Sequence, residues 1–168
     1  MKHAALTALA TILAAIAVPA QMPQPSGPPA SVLLKPARVF DAVSQAPHEG
    51  WAVLVTGNAI AAAGPAAQIS APAGTTIVDL PGATLMPGLI DAHSHIYLHP
   101  YNEATWNDQV MKETLAYRTV AAVIYCKDTL MAGFTSLRDL GTEGAEYADV
   151  SVQKAINEGR IPGPRLQV

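Results

Sequence analysis

Apolar residues along this chain fall into two regimes. From Ser31 to Leu80 they come in short bursts separated by glycine and proline, which predicts strands. Residues 31–40 read as one strand, with Pro36 marking a break or an edge inside it. Residues 41–50 are rich in turn formers, and His48 falls there as a solvated loop histidine. Trp51–Thr56 is β-branched and aromatic, Gly57-Asn58 is a hairpin signal, and residues 59–63 follow as the next strand until Gly64-Pro65 ends it. Residues 75–80 form a further short strand, closed by Pro81-Gly82. Strands at this spacing predict a small antiparallel sandwich or meander.

After Gly88 the period changes. Residues 89–96 read as a buried strand. A long helix follows, opening near Asn107 or Asp108, either of which can cap it. Val120, Val123, Ile124, Leu130 and Met131 recur at helical spacing and predict its buried stripe, and Gly133 suits the position just past its end. Residues 134–140 (FTSLRDL) read as a second strand, 142–147 as a loop, and 148–158 as a second helix closed by Gly159. Pro162-Gly163-Pro164 then turns the chain into a third strand at 165–168. Strand, helix, strand, helix, strand is the rhythm of a parallel sheet with helical crossovers, so the fold class is α/β.

The first thirty residues fit neither regime. Lys2 precedes an almost unbroken apolar run over 4–18, with small-residue cleavage options at 15–17 and 18–20. This is the pattern of a secretory signal peptide over 1–20, and the run falls short of the about 20 residues a membrane span needs. Residues 21–30 (QMPQPSGPPA) carry four prolines and no apolar period, and read as a linker. Export would place the mature protein in the periplasm or outside the cell, with no stable membrane span after cleavage.

Composition narrows the chemistry. The chain has 168 residues, half of them hydrophobic, so one domain of ordinary size can be packed. Charged residues make up 14% and the net charge is -3, which leaves no electrostatic footprint for nucleic acid. A single cysteine, Cys126, excludes an intramolecular disulfide and a cysteine-rich zinc site, and reads as a buried small residue. Nothing in the pattern sets an oligomeric state.

The candidate chemistry lies in His93-Ser94-His95. Side chains alternate along a strand, so Asp91, His93 and His95 are expected on one face. Two neutral imidazoles side by side can grip a divalent metal, although zinc takes three or four protein ligands and the others must come from elsewhere. A histidine pair merely packed at a strand end is the competing reading. The position at the end of a strand in a parallel sheet, where such folds present their ligands, favours metal. Asp91 lies toward the start of the strand and reads as a structural or supporting carboxylate. His99 reads as a solvent-facing loop residue, and Tyr97 as a residue facing the mouth of the site. Arg138 and Asp139 end the second strand, where a catalytic-face role and a salt bridge or loop anchor are evenly balanced.

Residues 85–95 (LMPGLIDAHSH) resemble the first-strand motif of the amidohydrolase superfamily of metal-dependent hydrolases. Residues 112–118 (KETLAYR) and 132–141 (AGFTSLRDLG) are similar to its imidazolonepropionase-like and Xaa-Pro dipeptidase subgroup, and the likeness covers 31–168. The resemblance implies part of a small β-sandwich over 31–87 and, over 88–168, the first strands and helices of an incomplete (β/α)8 TIM-like barrel. It implies that His93 and His95 are the first two ligands of a divalent metal, zinc foremost, with one or two ions in the full enzyme. Imidazole suits iron, nickel and copper as well. The implied reaction is hydrolysis of an amide or cyclic amide C–N bond by metal-activated water, on a small-molecule or dipeptide substrate. The family's other ligands and its catalytic aspartate find no position in this chain, which is therefore expected to be an N-terminal fragment, inactive alone. The alternative is a noncatalytic truncated product or interaction module with at most weak metal binding.

Overall fold

The computed structural model describes residues 30–168 and forms two sheets. The signal segment at 1–20 and all but the last residue of the linker lie outside the described residues. The first sheet contains β1 (Ser31–Val39), β2 (His48–Glu49), β3 (Trp51–Thr56), β4 (Ala59–Pro65) and β5 (Thr76–Leu85). Gly57, with φ +61°, turns β3 into β4 as an antiparallel hairpin. β2 and β3 share one unbroken antiparallel register along an edge of β1, with Leu34 opposite Val53 and Arg38 opposite Glu49.

The expectation of antiparallel pairing is corrected at β5, which runs parallel to β1 along its other edge. The segment between β4 and β5, which includes the 3₁₀ turn Ala66–Gln68, carries the chain back so that β5 starts level with Val32. Strand β5 also continues through Pro81-Gly82 instead of ending there. The ladder yields at that point while the strand persists. Pro36 pairs with Leu80 and Arg38 with Thr84, so an irregularity absorbs both prolines, which have no amide hydrogen to give. Gly82 there takes φ +77°.

The second sheet is the predicted one. β6 (Leu89–Ser94), β7 (Phe134–Asp139) and β8 (Arg165–Gln167) lie side by side in chain order, all parallel. Between β6 and β7 run α1 (Trp106–Met111) and α2 (Leu115–Met131), and between β7 and β8 runs α3 (Ala148–Asn157). The one long helix expected after β6 is two. Thr105 caps α1 by accepting from the Asp108 amide at 3.2 Å, and Thr114 caps α2 by accepting from the Tyr117 amide at 3.3 Å. Gly133 takes φ +100° just past α2, as its position predicts.

The buried face of α2 is also corrected. Val120, Ile124 and Met131 are exposed, and Arg118, Ala121, Ala122 and Cys126 are buried. Small side chains at 122 and 126 let the helix lie close to the sheet, while Val123 and Leu130 of the expected stripe are half-buried. Leu137, Ala122, Cys126, Val152 and Leu166 form the centre of the core. Burial pushes the Cys126 thiol up to about 11. β6 is less buried than expected, with Ile90 73% exposed, because among the described residues it pairs with β7 alone. Among these residues no helix is long and apolar enough to cross a membrane.

Candidate functional site

Strand β6 does not keep strict alternation to its end. Asp91 pairs with Leu137 and Ser94 with Asp139, so Ala92 and His93 stand opposite Arg138 alone. This is a β-bulge, which re-aims side chains locally. It breaks the strict alternation that would set Asp91, His93 and His95 on one face. The Asp91 carboxylate instead accepts from the backbone amide of His93 at 3.0 Å and shapes the bulge, a structural role.

His93 and His95 are brought together, with ring centroids 5.5 Å apart and planes at 67°. His93 is exposed. His95 lies 2.9 Å through Nδ1 from the Gly141 carbonyl oxygen. A carbonyl only accepts, so Nδ1 carries the hydrogen, and in the neutral ring Nε2 then presents its lone pair. A backbone carbonyl fixing one ring nitrogen while the other is free is the usual support of a metal-ligating histidine. The pair therefore fits a divalent metal as two of its ligands. Among the described residues no group of three or more histidine, cysteine or acidic side chains is placed to hold one.

The two loops that follow β6 and β7 are tied together. The Leu140 amide donates to the Ser94 carbonyl at 2.9 Å, and the Ser94 hydroxyl donates to the Arg138 carbonyl at 2.9 Å. Arg118, 3% exposed, reaches from α2 to the carbonyls of Tyr97, Thr142 and Glu143. The loop it grips is strained. Glu143 and Glu146 take φ of +50° and +53°, each costing about 1–2 kcal/mol for a residue with a Cβ.

Asp139 is the loop anchor of the two readings offered for it. Its Oδ1 accepts from the Gly141 amide at 3.2 Å, and its buried Oδ2 finds no partner among the described residues. Burial pushes this carboxyl above the usual range and Asp149 adds to it, against the Gly141 and Ile96 amides and His95. A raised native pKa means that stability is full below the ordinary carboxylate value and is lost as pH rises through the native one. Asp139→Asn keeps the acceptor for Gly141 and removes that loss. Its urea midpoint should gain on wild type as pH climbs from about 4 toward neutrality. A difference that does not change with pH would count against the buried-carboxylate account.

Other expectations change. Tyr97 is 2% exposed and directs its hydroxyl to Thr119 at 3.4 Å, so it belongs to the core and not to the mouth of the site. His99 is held between two carboxylates, Nδ1 at 3.0 Å from Glu103 and Nε2 at 3.1 Å from Glu113, and is not a free loop residue. Gln109, fully buried, fastens the same loop by accepting from the His99 amide and donating to the carbonyls of His99 and Ala104. His48 stacks on Trp51 at 3.8 Å, with Nε2 3.0 Å from Asp41 and from Ser44. The amides of Ser44 and Val43, and then His48, hold the Asp41 carboxyl well below the usual range. Sequence reasoning missed Arg118, Gln109 and Gly141. A cationic residue at 118, in line with Leu115, Ala121 and Ala122 on α2, was the available signal.

An α/β fold that carries paired imidazoles at the C-terminal end of its first parallel strand defines the class of site. The Amidohydrolase family model matches residues 84–168, half of the chain, and the chain belongs to the amidohydrolase family. It superposes on a Xaa-Pro dipeptidase with methionine bound in the active site, at 25% identity and TM-score 0.67, covering 82% of this chain and 32% of that one. A prolidase complexed with N-methylphosphonate-L-proline matches at 26% identity and TM-score 0.64, over 81% and 31%. Ochratoxinase from A. niger matches at 26% and 0.64, over 83% and 31%. The chain thus spans about a third of the length of the solved structures it matches. No curated protein matches it.

Proposed function

We propose that this chain carries the first part of a metal-dependent hydrolase of C–N bonds, amide or cyclic amide, with dipeptides as one substrate class. The observation that carries the reading is the geometry of His95, whose Nδ1 is held by the Gly141 carbonyl, whose Nε2 has no partner among the described residues, and whose ring centroid lies 5.5 Å from that of His93. A divalent metal, zinc before iron, nickel or copper, would supply a Lewis acid that polarises the scissile carbonyl and lowers the pKa of a bound water. The chain's own residues have simpler duties. His93 and His95 would hold the ion, Gly141 would set the ring of His95, and Asp91 would shape the strand end that presents both.

In this reading β6, β7 and β8 are the first three strands of a (β/α)8 barrel, and residues 31–87 are part of an accompanying β-sandwich. The ligands at other strand ends and the catalytic acid–base group would come from outside this chain. Alone it would bind metal weakly and catalyse nothing. The dipeptide class is supported by the bound methionine and proline analogue of the two solved relatives. Export to the periplasm or beyond rests on the residue pattern of 1–20 alone.

The test is metal removal from the enzyme that contains this segment. Xaa-Pro dipeptide or acyl-amide hydrolysis is expected to fall on chelation and to return with zinc. Hydrolysis undiminished by complete removal of metal would overturn the reading.

A further inference from the structure

Arg118 is a full positive charge that is buried and, among the described residues, has no carboxylate within ion-pair distance. Among the described residues its guanidinium donates only to carbonyl oxygens: from Nε and Nη2 to Tyr97 at 3.3 and 3.2 Å, from Nη2 to Thr142 at 2.7 Å and from Nη1 to Glu143 at 3.1 Å. Four donors of a rigid fork are thus spent on three backbone groups. Those groups belong to two different segments. Tyr97 stands two residues past His95, and Thr142 directly follows Gly141, whose carbonyl faces His95 Nδ1 at 2.9 Å. The guanidinium therefore bridges the segment that carries the ring and the segment that carries its acceptor.

The second segment is tied internally by the Thr142 hydroxyl, which donates to the Glu146 carbonyl at 2.8 Å and accepts from the Ala145 amide at 3.2 Å, but its backbone is strained. Gly141, Glu143, Gly144 and Glu146 all take positive φ, and only a surrounding contact set keeps such a loop in one conformation. Arg118 supplies two of those contacts and is anchored on the well-packed face of α2, beside Ala122. A Cβ at Gly144 would lie 3.2 Å from Val110 and 4.0 Å from Arg118 Nη1, so the loop closes directly over the guanidinium.

We propose that Arg118 is a positioning residue that, by clamping the carbonyls of Tyr97, Thr142 and Glu143, fixes Gly141 against His95 and holds that ring in the tautomer with Nε2 free for metal. The inference rests on the metal-ligand reading of His95, and its main readout needs no metal. Long-range ¹H–¹⁵N spectra of the full chain report which ring nitrogen of His95 is protonated. Wild type is expected to show a single Nδ1–H form. Arg118→Met should give averaged shifts of both tautomers, with the helical circular dichroism retained. Arg118→Lys keeps the charge and loses the fork, so it should fall between them and decides the matter if the Met variant does not fold. Val152→Ala weakens the same core without touching the clamp and should leave the His95 signals unchanged.

Zinc titration of the same samples should show affinity falling by about tenfold or more in Arg118→Met. The proposal is overturned if His95 stays purely Nδ1–H in a folded Arg118 variant, or if Val152→Ala shifts the ring as much. Unfolding of both Arg118 variants beside a folded Val152→Ala would also overturn it, because Arg118 would then hold the fold and not the ring. Wild type that shows the single tautomer yet takes up no zinc would defeat the metal reading and leave the clamp standing.

Discussion

His95→Ala and His93→Ala are each expected to cut metal affinity by about a hundredfold or more. Loss of a group that merely supports a ligand already costs about 10–100-fold, and loss of the ligand itself costs at least that. The two variants should differ in a second respect. His93 is exposed, so its removal should shift stability by no more than about 0.5 kcal/mol. His95→Ala also leaves the Gly141 carbonyl without its partner, worth about 1 kcal/mol. Metal content measured on purified wild type and both variants, with urea unfolding in parallel, checks both statements. In the enzyme that contains this segment, hydrolysis should fall together with metal content. Unchanged metal content in both variants would show that the pair is only packed at the strand end.

Leu137→Ala is expected to destabilise the fold by about 2–5 kcal/mol, the cost of a large core truncation that leaves a cavity. Leu137 sits on the central strand of the parallel sheet, directly paired with Asp91 on one side and Leu166 on the other. It is buried among Ala122 and Cys126 of α2 and Val152 of α3. Those neighbours are small or belong to different elements, so they cannot collapse together into the space. Against a total stability of about 5–15 kcal/mol such a loss is large. Val120→Ala on α2 should cost far less, because Val120 is 63% exposed. Urea midpoints of the three proteins settle the matter, and equal losses at 120 and 137 would mean that the predicted stripe, not the observed one, faces the core.

Local signals carried much of the fold. Trp51–Thr56 was legible to the residue because a β-branched run meets a glycine turn at each end, and β7 to within one residue because Gly133 precedes it. Pairing was not legible. Nothing near Thr76 announces that it will lie parallel to Val32, forty-four residues away, since that depends on where the chain returns. The face of α2 was misread because hydrophobicity alone ranks Val120 and Ile124 above Ala122. Close packing against the sheet ranks them the other way, and favours small side chains. The split between α1 and α2 was signalled by threonines at 105 and 114, each capping its helix, and was overlooked in favour of the longer periodic pattern. The histidine pair was legible because its spacing is local. Its support was not, because Gly141 and Arg118 reach it through backbone carbonyls, which leave no mark in side-chain identity.

The bulge at Ala92 and His93 makes the strand end depend on chain length as much as on residue type. Deleting either residue would restore one-to-one pairing with β7 while leaving the remaining histidine chemistry formally present. The residue left would then stand alone opposite Arg138, without the local re-aiming that the bulge gives. Related chains should therefore tolerate substitutions at position 92 far more readily than a gap or an insertion there. The spacing between Asp91 and Ser94 becomes a countable feature, by which a working strand end can be told from a decayed copy.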